Sequence, residues 1–306
     1  MRTLLALLFV FSYKIVAQTC CSGNVSNIWV EVLGNDHSNS KYQMNLQSDC
    51  RKFEALDIVS MSAMHHHNSN STMATVDFTV FTNLSVKYNI NSKYALQIML
   101  PYLIAKGNPS NRNSFADASI LVIRRFIFEN NLHANFSLGV KLPTSKVASA
   151  KESNNLTVFG SGSFDPLFVA SAQKVWNRLY LNADVMMRYA AANKYNFNFG
   201  SYSSQNISVG YNLLKTIDCS ASDSLKEQKK LLAFAGVSNE IIGMQKQGNF
   251  VDATTGGSAQ YANVNLVYGF NKFVFSASYL QPFRQVWSSM QPSINYRFRT
   301  SISINF

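Results

Sequence analysis

Charge is scarce in this sequence. Asp, Glu, Lys and Arg make up 14% of its 306 residues, against roughly 25% in an ordinary soluble domain. Long apolar runs are missing too. Beyond the N-terminus nothing approaches the ~20 consecutive apolar residues that a membrane-spanning helix needs. Histidine is rare, with five copies, and His133 is the one on a periodic segment. Ser137 follows it by four residues on the same strand face, about 13 Å away at ~3.3 Å per residue, too far for a nucleophile and its base to pair. The 16 acidic residues are expected mostly in loops, so paired carboxylates are scarce. Gly160, Gly162 and Gly210 form no phosphate-binding loop. Four cysteines, Cys20, Cys21, Cys50 and Cys219, have no metal-ligand spacing. These absences argue against an enzyme and against a resident cofactor.

Aromatic residues are abundant, at 13% with 14 Tyr and 22 Phe, while mean hydropathy stays near zero. They follow a strict period of two. In the last segment Ile294, Tyr296, Phe298, Thr300, Ile302, Ile304 and Phe306 share one face. Ser293, Asn295, Arg297, Arg299, Ser301, Ser303 and Asn305 share the other. Successive side chains of a strand point to opposite faces, so this is a β-strand, greasy on one side and polar on the other. The pattern recurs at 273–279, 262–270, 179–189, 132–142 and 80–90, with a first strand from Tyr42 to Ser48. Several runs exceed the usual five or six residues of a soluble strand. Tyr and Phe sit near the ends of the apolar faces, as membrane-interface girdles require. The predicted fold is therefore all-β: a transmembrane antiparallel β-barrel of outer-membrane type with about 12 strands. A soluble all-β protein is the alternative.

Strands are expected near 41–53, 75–91, 94–106, 115–129, 132–145, 157–175, 178–192, 196–214, 231–246, 259–271, 272–285 and 291–306. Counts of ten or fourteen stay open, because Leu121-Val122-Ile123 is apolar on both faces and 215–230 is long for a turn. Short connections such as Asn91-Ser92-Lys93, Asn130-Asn131, Trp176-Asn177 and Asn271-Lys272 alternate with longer polar loops, 54–74 being the first. Outer-membrane barrels have short periplasmic turns and long outer loops. At the N-terminus, Met1-Arg2 and the apolar run Leu4–Phe11 suggest an export signal over residues 1–17. Residues 18–40 would follow as a periplasmic segment, and 41–306 as the barrel, exported to the cell outer membrane. Export permits a disulfide from Cys20 or Cys21 to Cys219. The net charge of +11 is dispersed, and an exported chain meets no nucleic acid.

Two stretches carry a resemblance. GVKLPTSK (139–146) and GSGSFDP (160–166), with Met99–Tyr102 and Thr255-Gly256-Gly257, resemble outer-membrane transporters of the meta-pathway phenol-degradation type. CCSG (20–23) is similar to the start of Bacteroidota members, which are Gram-negative. The resemblance implies a monomeric barrel with a channel or transporter role for small, including hydrophobic, compounds, and brings no catalytic motif.

A charged side chain facing lipid costs roughly 2–4 kcal/mol at the midplane for Arg or Lys, so strand charges should face inward. Asp117, Arg125, His133, Lys141, Asp184, Arg188, Arg297 and Arg299 are the candidate lumen-lining residues. They would either line a water path for anionic or polar solutes or brace a closed interior. Phe298, Ile302, Ile304 and Phe306 form the candidate membrane-insertion signal, read by the barrel-assembly machinery. His65, His66 and His67, near Met61 and Met64, are candidate copper or zinc ligands, against the plainer reading of a solvated loop. The expected function is a porin-like passive channel in contact with outer-membrane lipid. The alternatives are a closed structural or interaction barrel and loop-mediated metal capture.

Overall fold

The structure, a computed structural model, describes residues 40–53, 75–108, 112–129, 131–145, 160–214, 229–288 and 293–306. Its strands are β1 (Tyr42–Phe53), β2 (Thr75–Asn89), β3 (Tyr94–Asn108), β4 (Arg112–Phe115), β5 (Ser119–Phe128), β6 (Leu132–Lys141), β7 (Asp165–Trp176) and β8 (Leu179–Arg188). They continue as β9 (Phe197–Asn198), β10 (Tyr202–Asn212), β11 (Lys229–Ile242), β12 (Gln245–Gln247), β13 (Phe250–Asp252), β14 (Gly257–Phe270), β15 (Phe273–Trp287) and β16 (Ile294–Asn305).

Thirteen of these strands form one antiparallel sheet that closes on itself through β1–β16 and β2–β3 pairing. Two of them, β4 and β5, lie end to end along β3, so the barrel has twelve staves. The remaining strands, β9, β12 and β13, form a small sheet from two connections at the end opposite Tyr42 and Asn305. We call that end outer and the end holding Tyr42 and Asn305 periplasmic.

Four of the periplasmic hairpins are tight because asparagine closes them. Asn131, Asn177 and Asn271 take positive φ (57°, 53° and 49°), a conformation that a short polar side chain tolerates better than other non-glycine residues. At the β2–β3 turn, Asn91 Oδ1 instead accepts the amides of Lys93 and Tyr94 at 2.9 and 2.8 Å, a side-chain mimic of a backbone turn.

Alternation along each strand sorts the side chains. Leu46, Leu138, Val264 and Phe298 are 44%, 55%, 55% and 43% exposed, while Gln47, Asn182 and Ser303 are 4%, 0% and 0% exposed. A soluble sandwich hides apolar residues and shows polar ones; here the sorting is inverted, as hydrocarbon outside a barrel demands. Leu121 and Ile123 face inward and are buried, whereas Val122 is 52% exposed on the outside, which settles the register of that stretch.

Several expected strands are shorter or broken. The fourth stave, expected as one run over 115–129, is interrupted at 116–118, where Asp117 turns inward. The sixth, expected over 157–175, begins at Asp165, because Gly160–Ser163 packs at the barrel mouth. The segment expected at 196–214 divides into β9 and β10.

One outcome follows directly. Val264→Arg places a cation near the middle of the lipid face and should cost about 2–4 kcal/mol in urea titrations of folding into lipid vesicles, with Val264→Leu near neutral. An unchanged midpoint for the arginine variant would contradict a lipid-facing wall.

Candidate functional site

The inward positions of the staves gather the described acids of the wall and most of its arginines. Asp49, Asp117, Asp165, Asp184 and Glu240 stand against Arg51, Lys87, Arg125, Lys141, Arg188, Lys230, Arg297 and Arg299. Bases outnumber acids among these inward groups. In the low dielectric of the wall, an ionised side chain must find a counter-charge or water, and the interior is where both are found. The groups separate into two nodes.

The first bridges the lumen in its outer half. Arg297, on β16, is fully buried. Its Nε donates to Asp49 Oδ1 at 3.0 Å, and its terminal nitrogens donate to Asp49 Oδ2 and Glu240 Oε1. Asp49 sits on the adjacent β1, but Glu240 sits on β11, with β15 and β14 between. Arg297 therefore ties together staves a quarter of the circumference apart. Tyr202 and Tyr261 donate to Glu240 at 2.9 and 3.4 Å. Arg51 and Arg299 each lie 3.4 Å from Asp49, and Arg299 lies 3.7 Å from Glu240. The Arg297 guanidinium stands 5.7 Å from the Tyr261 ring centre.

Apolar side chains complete this section. Phe53, Ala105, Ala259, Tyr261, Leu280 and Ile294 pack together from β1, β3, β14, β15 and β16. Met99, Leu121, Leu167, Met186 and Tyr202 do so from β3 around to β10. Ion pairs and packed apolar side chains thus occupy the interior of the outer half. The periplasmic half holds amides and hydroxyls such as Gln43, Asn45, Asn83, Asn182, Ser208 and Asn305, together with a third apolar cluster of Leu232, Phe234, Val267 and Val274.

The second node anchors the outer loops. Asp117 Oδ2 accepts the Ser161 amide and hydroxyl at 2.7 and 3.0 Å, and Oδ1 accepts the Ser145 amide and hydroxyl at 3.1 and 2.7 Å. Lys141 lies 3.1 Å from Asp117 and 2.8 Å from Asp165 and donates to Ser161. Arg188 lies 3.8 Å from Asp165 and donates to the Gly200 carbonyl at 3.0 Å. The two stretches singled out by resemblance, 139–146 and 160–166, meet here. Lys141 and Ser145 come from one; Ser161, Ser163 and Asp165 from the other. A Cβ on Gly160 would lie 1.5 Å from Ser145 Oγ and 2.7 Å from Asp117 Oδ1, so only glycine lets the chains approach.

Of the candidate residues, Asp117, Lys141 and Arg188 meet in this loop anchor, and Arg297 and Arg299 in the lumen bridge. Asp184 accepts from Asn206 at 2.9 Å at mid-barrel, and Arg125 donates to Asn89 at 2.5 Å near the periplasmic end. His133 faces inward beside Gln173 and stands apart from either node. Sequence reasoning missed Asp49, Arg51, Asp165 and Glu240. Asp49 and Arg51 had a legible signal: the alternation of β1 continues past Ser48 and places both on the polar face. His65, His66, His67, Met61, Met64, Cys20, Cys21, Cys219 and residues 1–17 lie outside the described residues, as does most of 18–40. Among the described residues no group of three or more His, Cys, Asp or Glu side chains could hold a metal. Cys50 is a free thiol on the outward face.

Gly160→Ala should destabilise the barrel by about 1–3 kcal/mol through overpacking, and Asp117→Asn should weaken the same anchor. Both should appear as a lower midpoint of thermal gel-shift unfolding. No change for Gly160→Ala would show that the 160–166 stretch is not held at the barrel mouth.

No family model matches this sequence, and no curated protein matches it. The crystal structure of an outer membrane channel from Pseudomonas putida F1 superposes with a TM-score of 0.62 at 9% identity, covering 87% of this chain and 96% of that one. LpxR from Salmonella typhimurium reaches a TM-score of 0.44 at 12% identity, and the NanC porin 0.45 at 10%. Each covers 86% of this chain and 100% of its own; scores of that size add nothing to the comparison. The chain has the all-β, closed, twelve-stranded antiparallel barrel fold of the Pseudomonas putida channel.

Proposed function

We propose that this protein is an outer-membrane channel for small solutes, shut in the described conformation by the Arg297 bridge. One observation carries the reading: among the described residues, a barrel whose inward charges are predominantly basic is spanned over a quarter of its circumference by one ion-paired side chain, Arg297. Removing that bridge would open room beside the apolar side chains that share its section. Rows of basic side chains in a pore favour anions, so anionic or polar solutes suit the interior best. Hydrophobic compounds as cargo, and membership of the phenol-degradation transporter type, rest on the sequence resemblance alone. A monomer inserted through its C-terminal strand, with Phe298, Ile302, Ile304 and Phe306 on the lipid side of β16, completes the proposal. No catalysis is assigned.

The same filled section supports a second reading, a permanently closed barrel that acts through its loops. Planar-bilayer recordings separate the two. Removing one partner of a buried pair costs about 3–5 kcal/mol, so Glu240 and Arg297 are best changed together, leaving Asp49 paired with Arg51 and Arg299. Glu240→Ala with Arg297→Ala should raise steady conductance severalfold over the parent while the protein remains heat-modifiable on gels. Silence from both proteins would assign the barrel to the closed class. Metal capture by His65, His66 and His67 would require that their replacement by Ala abolish a copper or zinc isotherm.

A further inference from the structure

The outward face of the periplasmic rim carries a feature that neither the lumen nor the loops use: its cations sit over aromatic rings. Lys41 lies 5.7 Å from the Tyr88 ring centre, at the start of β1. Arg124 lies 5.8 Å from Tyr94 and 4.8 Å from Phe126, on β3 and β5. Lys174 lies 5.8 Å from Trp176 on β7. Lys229 lies 5.3 Å from Phe270 across β11 and β14, and Lys272 lies 5.7 Å from Phe306 at the β15–β16 corner. The pairs occupy sectors all round the barrel. Lys272 also lies 5.8 Å from Phe273, and a pair of Lys194 with Tyr195 at 5.0 Å lies in a connection at the opposite end.

We propose that this collar binds anionic glycerophospholipid headgroups of the periplasmic leaflet. Aromatic rings settle where acyl chains meet headgroups. A ring at that depth, with an ammonium or guanidinium on its face, places positive charge at the level of lipid phosphates. Charge complementarity fits the same partner: the short turns of this rim add Lys93 and Arg178, and Glu129 is its acid among the described residues. Trp176 and Phe306 are 52% and 57% exposed, so the surface is open to lipid. The inference rests on the bilayer-spanning fold and not on the channel reading.

The test uses the full mature chain folded in neutral detergent. It is mixed with phosphatidylglycerol and phosphatidylcholine of equal chain length, and retained lipid is counted by native mass spectrometry. The parent should retain phosphatidylglycerol preferentially, and salt should weaken the preference. Each of Lys41→Gln, Arg124→Gln, Lys174→Gln, Lys229→Gln and Lys272→Gln should lower phosphatidylglycerol affinity by up to about fivefold, and the combined variant should abolish the preference. Lys106→Gln, at the outer end, should leave it intact. Should the combined variant fail to fold, the single variants and the salt dependence still decide the matter. A parent without preference, a folded combined variant that keeps it, or equal displacement by inorganic phosphate would each overturn the proposal. None of these outcomes bears on conductance.

Discussion

Backbone amides and carbonyls that enter hydrocarbon lose water as a partner, and everything else in this molecule answers to that loss. A sheet in lipid has to close, because any free edge would leave a row of unpaired groups. Closure of twelve staves then gives every strand one face in common with all the others. The polar side chains, forced off the lipid face by the cost of immersing them, meet in the same narrow space. The Arg297 bridge exists because the barrel is small enough for a side chain on β16 to reach a carboxylate on β11.

The two ionic nodes show how closure is turned to different ends. At the mouth, Asp117 accepts four hydrogen bonds from Ser145 and Ser161 and pairs with Lys141. That arrangement interrupts a wall strand, and it trades ladder hydrogen bonds of the fourth stave for a fixed position of two outer segments. Deeper in, Asp49 and Glu240 share three arginines, so the cluster carries excess positive charge inside a wall that offers it no exit. Such a cluster holds its members by mutual attraction, and loss of either carboxylate leaves further uncompensated buried charge. A barrier built this way is strong while intact and sensitive to a single change.

Much of the fold was legible because strand period and lipid chemistry are local. The alternation of 294–306 alone separates Phe298 and Ile302 from Arg297 and Ser301, and the structure puts the first pair outside and the second inside. Asparagine-rich short turns marked the periplasmic hairpins for equally local reasons. The break at 116–118 was not legible, since the groups that hold Asp117 come from 145 and 161, far along the chain. Glu240 looked like an ordinary strand residue, and its role appeared only once β10, β14 and β16 stood around it.

What the sequence by itself determined was the class of wall: side chains alternate, lipid accepts only one set, and a closed antiparallel barrel of about twelve strands follows. Which inward residues touch was decided by the tertiary structure alone. Strand tilt and stagger in a closed barrel set which positions on distant staves share a level. Arg297 meets Glu240 across intervening strands, while His133, on an equally good inward position, joins neither node. Periodicity reports the face a residue occupies; only closure brings two faces together.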